Sequence, residues 1–91
     1  MSWLARVHVV LKPVVNDPQG LAIFGGLQSL GFRGVQQVRA GKYFEITLDA
    51  DNAEEALQRV EDMCRKLLAN PVIEDYRLDI DEAQQQIADA V

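Results

Sequence analysis

Apolar and polar residues alternate in three regions of the chain and repeat with a helical period in two others. The order is strand, helix, strand pair, helix, strand. Ala5, Val7, Val9 and Leu11 form an apolar row opposed by Arg6, His8, Val10 and Lys12, which predicts a first strand with one buried face. Pro13 stops it, having no N–H to continue a ladder. Asn16 or Asp17 can then cap a helix that begins at Pro18 or Gln19 and ends before Gly31, with Leu21, Phe24, Leu27 and Leu30 every third residue and Ile23 beside them. Gly25 and Gly26 conflict with that helix, each costing about 1 kcal/mol relative to alanine. The pair predicts close backbone packing there, against the sheet or another chain.

Val35 to Leu48 predicts a β-hairpin turning at Ala40 and Gly41, with Phe44, Ile46 and Leu48 on one face and Tyr43, Glu45 and Thr47 on the other. A second helix follows, marked by Ala53, Ala56, Leu57, Val60, Met63, Cys64, Leu67 and Leu68 at i, i+3, i+4, i+7 spacing. Asp51 with Glu54 has capping-box spacing, and Asn70-Pro71 closes the helix. Val72 to Ile80 predicts the last strand, with Val72, Tyr76, Leu78 and Ile80 on one side and Asp75, Arg77 and Asp79 on the other. The polar stretch 81–91 is expected to form a short helix or to be disordered.

This order, with one apolar stripe per helix, predicts an α+β, ferredoxin-like β-α-β-β-α-β sandwich: an antiparallel four-stranded sheet with two helices on one face, as a single domain over residues 1–80. The other face would stay uncovered, carrying Arg6, His8, Val10, Lys12, Tyr43, Glu45, Thr47 and Ile73. That face, or the sheet edge, is expected to serve oligomerisation.

With 91 residues and a net charge of -5, the chain has room for one core and the wrong sign for phosphate-backbone binding as its main activity. Its single cysteine forms no internal disulfide. The N-terminus lacks a signal-peptide pattern and no run is long enough to span a membrane, so a cytoplasmic location is expected.

Reactive groups are sparse. His8 stands among sheet-surface residues and Cys64 on the apolar helix stripe, where a thiol behaves as a small hydrophobe. The carboxylates at Glu74-Asp75 and at Asp79, Asp81 and Glu82 read as solvated strand ends. Neither metal-ligand spacing nor a phosphate loop is present, and no catalytic, cofactor or metal residue is assigned. Arg39 and Lys42 flank the expected turn without an evident folding role.

Three stretches together resemble the PurS family, the small subunit of bacterial and archaeal phosphoribosylformylglycinamidine (FGAM) synthase: Asp17-Pro18-Gln19-Gly20; Val38-Arg39-Ala40-Gly41-Lys42 with Glu45; and Met63 through Asn70-Pro71-Val72-Ile73-Glu74-Asp75-Tyr76. The resemblance covers roughly residues 5–80. It implies a non-catalytic homo-oligomeric subunit, dimer or tetramer. Such a subunit bridges a PurQ-type glutaminase and a PurL-type synthetase, in a complex that makes FGAM from formylglycinamide ribonucleotide, glutamine and ATP. By the same resemblance ATP and magnesium belong to the synthetase, and Asp17, Gln19, Arg39, Lys42, Tyr43, Asn70, Glu74 and Tyr76 are candidate partner or subunit contacts.

Three other readings share parts of the pattern. An ACT-like regulatory dimer has the same element order, but such modules are usually attached to an enzyme. An acylphosphatase-like enzyme needs an arginine-bearing phosphate loop after the first strand, which residues 13–17 lack. RNA binding on a sheet face needs stacking aromatics and a basic surface, and only Tyr43 qualifies.

Overall fold

The structure is a computed structural model, and it describes residues 1–83. In chain order it contains β1 (Ser2–Leu11), α1 (Pro18–Ser29), β2 (Gly41–Asp49), α2 (Ala53–Met63), a π-helical turn (Cys64–Leu68) and β3 (Glu74–Glu82). Of the tail 81–91, expected to be a short helix or disordered, Asp81 and Glu82 belong instead to β3, and residues 84–91 lie outside the described residues. No helix among the described residues is long and apolar enough to cross a membrane.

The sheet has three antiparallel strands in the order β2-β1-β3, so the fold is α+β with one strand fewer than expected. The difference lies in the predicted hairpin. Only Gly41–Asp49 joins the sheet, and residues 35–40 belong to no strand. Gly41 does not turn the chain. It sits in register with Val10 at the first rung of the β1/β2 ladder, and its φ is not positive, whereas Gly31 and Gly34 have φ of 89° and 88°. The chain therefore enters β2 already extended instead of folding back at Ala40.

The first helix differs in place, not in existence. Asp17 caps it, Pro18 opens it and Gly31 follows its end, as the residues dictate. Yet α1 does not lie on the sheet, and Leu21, Ile23 and Leu30 are exposed. Close packing at Gly25 and Gly26 is absent within the chain, since a β carbon added at either would meet nothing within 4 Å. The Cα radius of gyration is 16.9 Å, against roughly 12 Å for a compact chain of this length, which fits an element that projects.

The core is built by α2 on β1 and β3. Ala5, Val7 and Val9 from β1 meet Val60 and Cys64, with Phe44, Ile46, Leu48, Tyr76, Leu78 and Ile80 packed around them. Asn52 caps α2, accepting a hydrogen bond from the Glu55 amide at 2.8 Å, while a Glu55 carboxylate oxygen accepts from the Asp51 amide at 3.3 Å. The expected reciprocal cap is thus displaced by one residue from Asp51 and Glu54, because Asn52 is the residue holding the extended backbone a cap needs. The helix then widens. Ala69 donates to the Cys64 carbonyl at 2.9 Å, an i to i+5 bond that inserts one extra residue into the turn. That residue shift keeps Leu68 against the core and puts Leu67 in solvent at 83% exposure, so the apolar stripe narrows to Ala56, Val60, Met63, Cys64 and Leu68.

The last strand begins at Glu74, not Val72, because residues 71–73 form a turn closed by the amides of Ile73 and Glu74 on the Asn70 carbonyl. It also runs past Ile80 to Glu82, pairing with β1 as far as Trp3. On the uncovered face Arg6 lies between Glu45 and Asp79 in register and bonds Asp79 at 3.0 Å and Asp81 at 2.6 Å. Lys12 pairs with Asp75 at 2.8 Å, so this face is charge-matched and suited to water.

The widened turn makes a specific prediction. Val60→Ala removes buried methyl groups and is expected to cost about 2 kcal/mol in urea unfolding, whereas Leu67→Ala costs less than about 0.5 kcal/mol. In an unbroken α-helix to Leu68 both positions would lie on the apolar stripe, and Leu67→Ala would be costly as well.

Candidate functional site

The three stretches singled out in the sequence converge at one end of the sheet, where β1 finishes and β2 and β3 begin. At the centre is Asp17, whose side chain is only 5% exposed. One carboxylate oxygen accepts from the Gly20 amide at 3.0 Å and the other from the Ala40 amide at 2.8 Å. A single side chain thereby caps α1 and ties it to the entry of β2. Gly20 is required because a β carbon there would lie 2.4 Å from the Val38 carbonyl oxygen and 2.6 Å from Asp17 Oδ2.

Arg39 completes the clasp. Its guanidinium donates to the carbonyls of Leu11 at 3.2 Å, Lys12 at 3.0 Å and Val15 at 3.4 Å, and its Nε stands 4.0 Å from Asp17 Oδ2. These bonds tie the end of β1 and the loop after it to Arg39, with the Lys12 carbonyl also accepting from the Val15 amide at 2.9 Å. The two amide hydrogen bonds, from Gly20 first and Ala40 second, with the Arg39 charge beside them, hold the Asp17 carboxyl below the usual carboxylate range.

Lys42 and Glu74 form the second cluster, with Nζ to Oε2 at 3.5 Å. Glu74 also accepts from the Asn70 amide at 2.7 Å, and Asn70 Oδ1 accepts from the Val72 amide at 3.1 Å. Gln19 joins them across a groove of about 180 Å³ that Asp17, Ala40, Lys42 and Glu74 also line. A wider cleft of about 430 Å³ lies on the other side of the clasp, between residues 13–17, Leu21 and Phe24, and residues 36–39.

Of the eight candidate residues, Asp17, Arg39, Asn70 and Glu74 therefore spend their polar groups on the chain's own turns. Gln19 and Lys42 present theirs at the groove. The two tyrosines part company: Tyr76 packs on the core side, while Tyr43 lies on the uncovered face with its ring centroid 4.8 Å from that of His8 and its hydroxyl donating to Glu45 at 2.9 Å. Arg39 has the folding role that the sequence did not disclose. Nothing in the spacing of Asp17 and Arg39 shows that they meet, since the expected hairpin would have aimed Arg39 at solvent.

Cys64 is buried in the core and its thiol is pushed up, first by desolvation and then by the Glu61 charge, so it stays protonated at neutral pH. His8 Nδ1 is buried without a hydrogen-bond partner among the described residues. Among those residues no group of three His, Cys, Asp or Glu side chains is placed to hold a metal. The arrangement positions backbone and presents surfaces, and it defines a small α+β module.

Comparison with known proteins agrees with this class. Residues 4–82 match the family model described as PurS, phosphoribosylformylglycinamidine (FGAM) synthase. The FGAM synthase subunit PurS of Synechocystis is 51% identical over 79 residues, covering 87% of this chain and 79% of that one. The Bacillus subtilis PurS subunit is 46% identical over 84 residues, covering 92% and 99%. The crystal structure of Methanocaldococcus jannaschii PurS, described as one of the subunits of formylglycinamide ribonucleotide amidotransferase in the purine biosynthetic pathway, superposes with a TM-score of 0.81 at 39% identity, covering 90% of this chain and 99% of that one. A chain in the structure of PurLQS from Thermotoga maritima superposes with a TM-score of 0.82 at 30% identity, covering 89% and 99%. The chain belongs to the PurS family of FGAM synthase subunits.

The clasp predicts a pH dependence. A carboxyl whose folded pKa lies below its unfolded one contributes stability above the unfolded pKa and loses it as pH falls through the folded value. The protection factors of the Gly20 and Ala40 amides, their exchange rates relative to the intrinsic rate at each pH, should therefore stay high at neutral pH and fall below the ordinary carboxylate range, near pH 4. Asp17→Ala should show little protection at both amides at every pH, with a melting temperature lower by several degrees, while Gly20→Ala should disturb the same two amides. A thiol reagent should leave Cys64 unmodified in the native chain and label it fully in denaturant.

Proposed function

We propose that this chain is the non-catalytic small subunit of an FGAM synthase, docking a PurL-type synthetase and a PurQ-type glutaminase and sealing the route by which ammonia passes between them. The observation that carries this is family membership across residues 4–82. The close superposition on a chain of the PurLQS structure supports the choice of partners. The chemistry asks for such a component. Ammonia is a nucleophile only while unprotonated, so its transfer from glutamine to the ATP-activated amide benefits from a path that excludes water. A small protein held by both enzymes contributes positioning and desolvation without reacting itself. ATP and magnesium act on the synthetase in this reading.

The docking end is the clasp end of the sheet. Val14 and Val72 in the loops there and Leu67 in the π-helical turn stand 93%, 79% and 83% exposed, and Gln19 and Lys42 line the nearby groove. Large apolar side chains left in solvent at one end of a small domain suit burial against an enzyme subunit. In the assembled state the four-stranded ferredoxin-like sheet is completed by residues 35–40.

Arg39 is no clean probe of docking, because it holds three backbone carbonyls of its own chain. Leu67→Glu with Val72→Glu is cleaner, both side chains being free in the chain itself. The double variant should keep the wild-type melting temperature and bind the synthetase at least about tenfold more weakly, as expected for removal of buried apolar contacts. The function is read by FGAM formation with the cognate synthetase and glutaminase. Omitting this chain should abolish the glutamine-driven rate and spare the ammonium-driven rate. If both rates are indifferent to its presence, the bridging role is wrong.

A further inference from the structure

The uncovered face of the sheet is charge-matched everywhere but along its middle row. Arg6 holds Asp79 and Asp81, and Lys12 holds Asp75. Between those pairs, Tyr43 of β2, His8 of β1 and Arg77 of β3 stand side by side in register across the three strands. Arg77 is exposed, and among the described residues it is the one cation on this face without an ion pair.

His8 adds a second unspent donor. Its Nδ1 is buried with no partner among the described residues, so a proton there would be left unbonded and the neutral ring carries its proton on Nε2. Tyr43 steadies the ring, the two centroids lying 4.8 Å apart at an interplanar angle of 41°. His8 and Arg77 line a shallow depression of about 200 Å³ together with Val10 and Asp75. Val10 is 45% exposed, because its partner on β2 is Gly41, which has no side chain to lie over it.

An aromatic ring, an arginine and a bare valine at the centre of a face, ringed by satisfied ion pairs, have the anatomy of a protein interface. Charge decides what meets it. A guanidinium beside an imidazole N–H takes one planar carboxylate. It is too little cation for a phosphate dianion, with Glu45, Asp75 and Asp79 on the same face. A carboxylate free in solution would gain little from one exposed ion pair. One delivered on a docked surface that also covers Tyr43 and Val10 gains more, because water leaves the site as it arrives.

We infer that the row of Tyr43, His8 and Arg77 is a second docking surface of this chain, and that it receives an acidic side chain of the glutaminase subunit. The inference rests on the bridging reading, which needs two contact surfaces. The synthetase is assigned the loops and π-helical turn of the clasp end, and the row lies on the opposite side of the sheet from α2 and that turn. Asp79 and Asp81 share the single charge of Arg6, so the acidic side chain is accompanied on the same partner by a basic one opposite Asp81, about 13 Å along β3 from Arg77.

The test titrates the cognate glutaminase into synthetase saturated with this chain and reads FGAM formation from glutamine. Arg77→Glu should raise the half-saturating glutaminase concentration at least about tenfold, while the ammonium-driven rate and the melting temperature stay as in the wild type. Arg77→Gln removes only the charge and should raise it less, and added salt should weaken the wild type more than either variant. Leu67→Glu with Val72→Glu should instead raise the amount of this chain needed to saturate the synthetase. An unchanged half-saturation in both Arg77 variants overturns the proposal and leaves the bridging role standing. Weakened synthetase binding in place of weakened glutaminase binding overturns it as well. A wild-type chain without effect on the glutamine-driven rate refutes the bridging role, and this proposal with it. If Arg77→Glu melts at a lower temperature, Arg77→Gln decides, since it keeps an uncharged stem over the sheet.

Discussion

A carboxylate taken out of water needs partners for both oxygens, and the arrangement of the clasp end follows from how Asp17 finds them. One oxygen takes the Gly20 amide of its own helix, as a cap does. The other takes the amide of Ala40, more than twenty residues on. Burial raises the cost of leaving either bond unmade, so the two segments are fixed together. Arg39 adds the balancing charge and, through Leu11, Lys12 and Val15, joins the end of β1 to the same knot. Three sequence-distant stretches are held by two side chains. The direction in which α1 and residues 35–40 leave the sheet is set there.

The consequence reaches the core. With α1 directed outward, one helix alone must cover the sheet, and α2 does so where β1 and β3 lie. The π turn at Cys64–Leu68 keeps that contact going past the end of the regular helix, turning Leu68 inward at the expense of Leu67. A regular helix would have kept both leucines near the stripe and ended farther round from Asn70. Asn70 and Glu74 then close the turn into β3, placing Lys42 against Glu74 beside the clasp. The two clusters share a groove because both close the same end of one sheet.

Much of this was legible from residue type and spacing. The alternation of Ala5, Val7 and Val9 and of Tyr76, Leu78 and Ile80 gave the covered face, and Asp17, Pro18 and Gly31 gave both ends of α1. The family resemblance rested on motifs that do meet in space. What was not legible depends on long-range choices. Residues 35–49 alternate like a hairpin whether or not they turn, and the decision between turning and running straight lies in the Asp17 and Arg39 contacts, which no local pattern encodes. The displaced cap at Asn52 is a similar case: Asp51 and Asn52 are both good caps, and backbone geometry chose between them. The insertion in α2 leaves the apolar residue types unchanged, so periodicity alone overstates the stripe.

The same constraint fits the bridging role proposed for this chain. A protein that aligns two enzymes must hold its contact surfaces in fixed relation, and hydrogen bonds between distant segments do that better than loose apolar contact, because they specify direction. The clasp unites three segments at one end of the sheet with the start of α1. Exposed apolar residues flank it there, and α1 carries others away from it. The surfaces around it are thereby referred to a single point, Asp17, whose carboxylate is ionised throughout the neutral range. Rigidity at that point, not reactivity, is what positioning two active sites along one ammonia path demands.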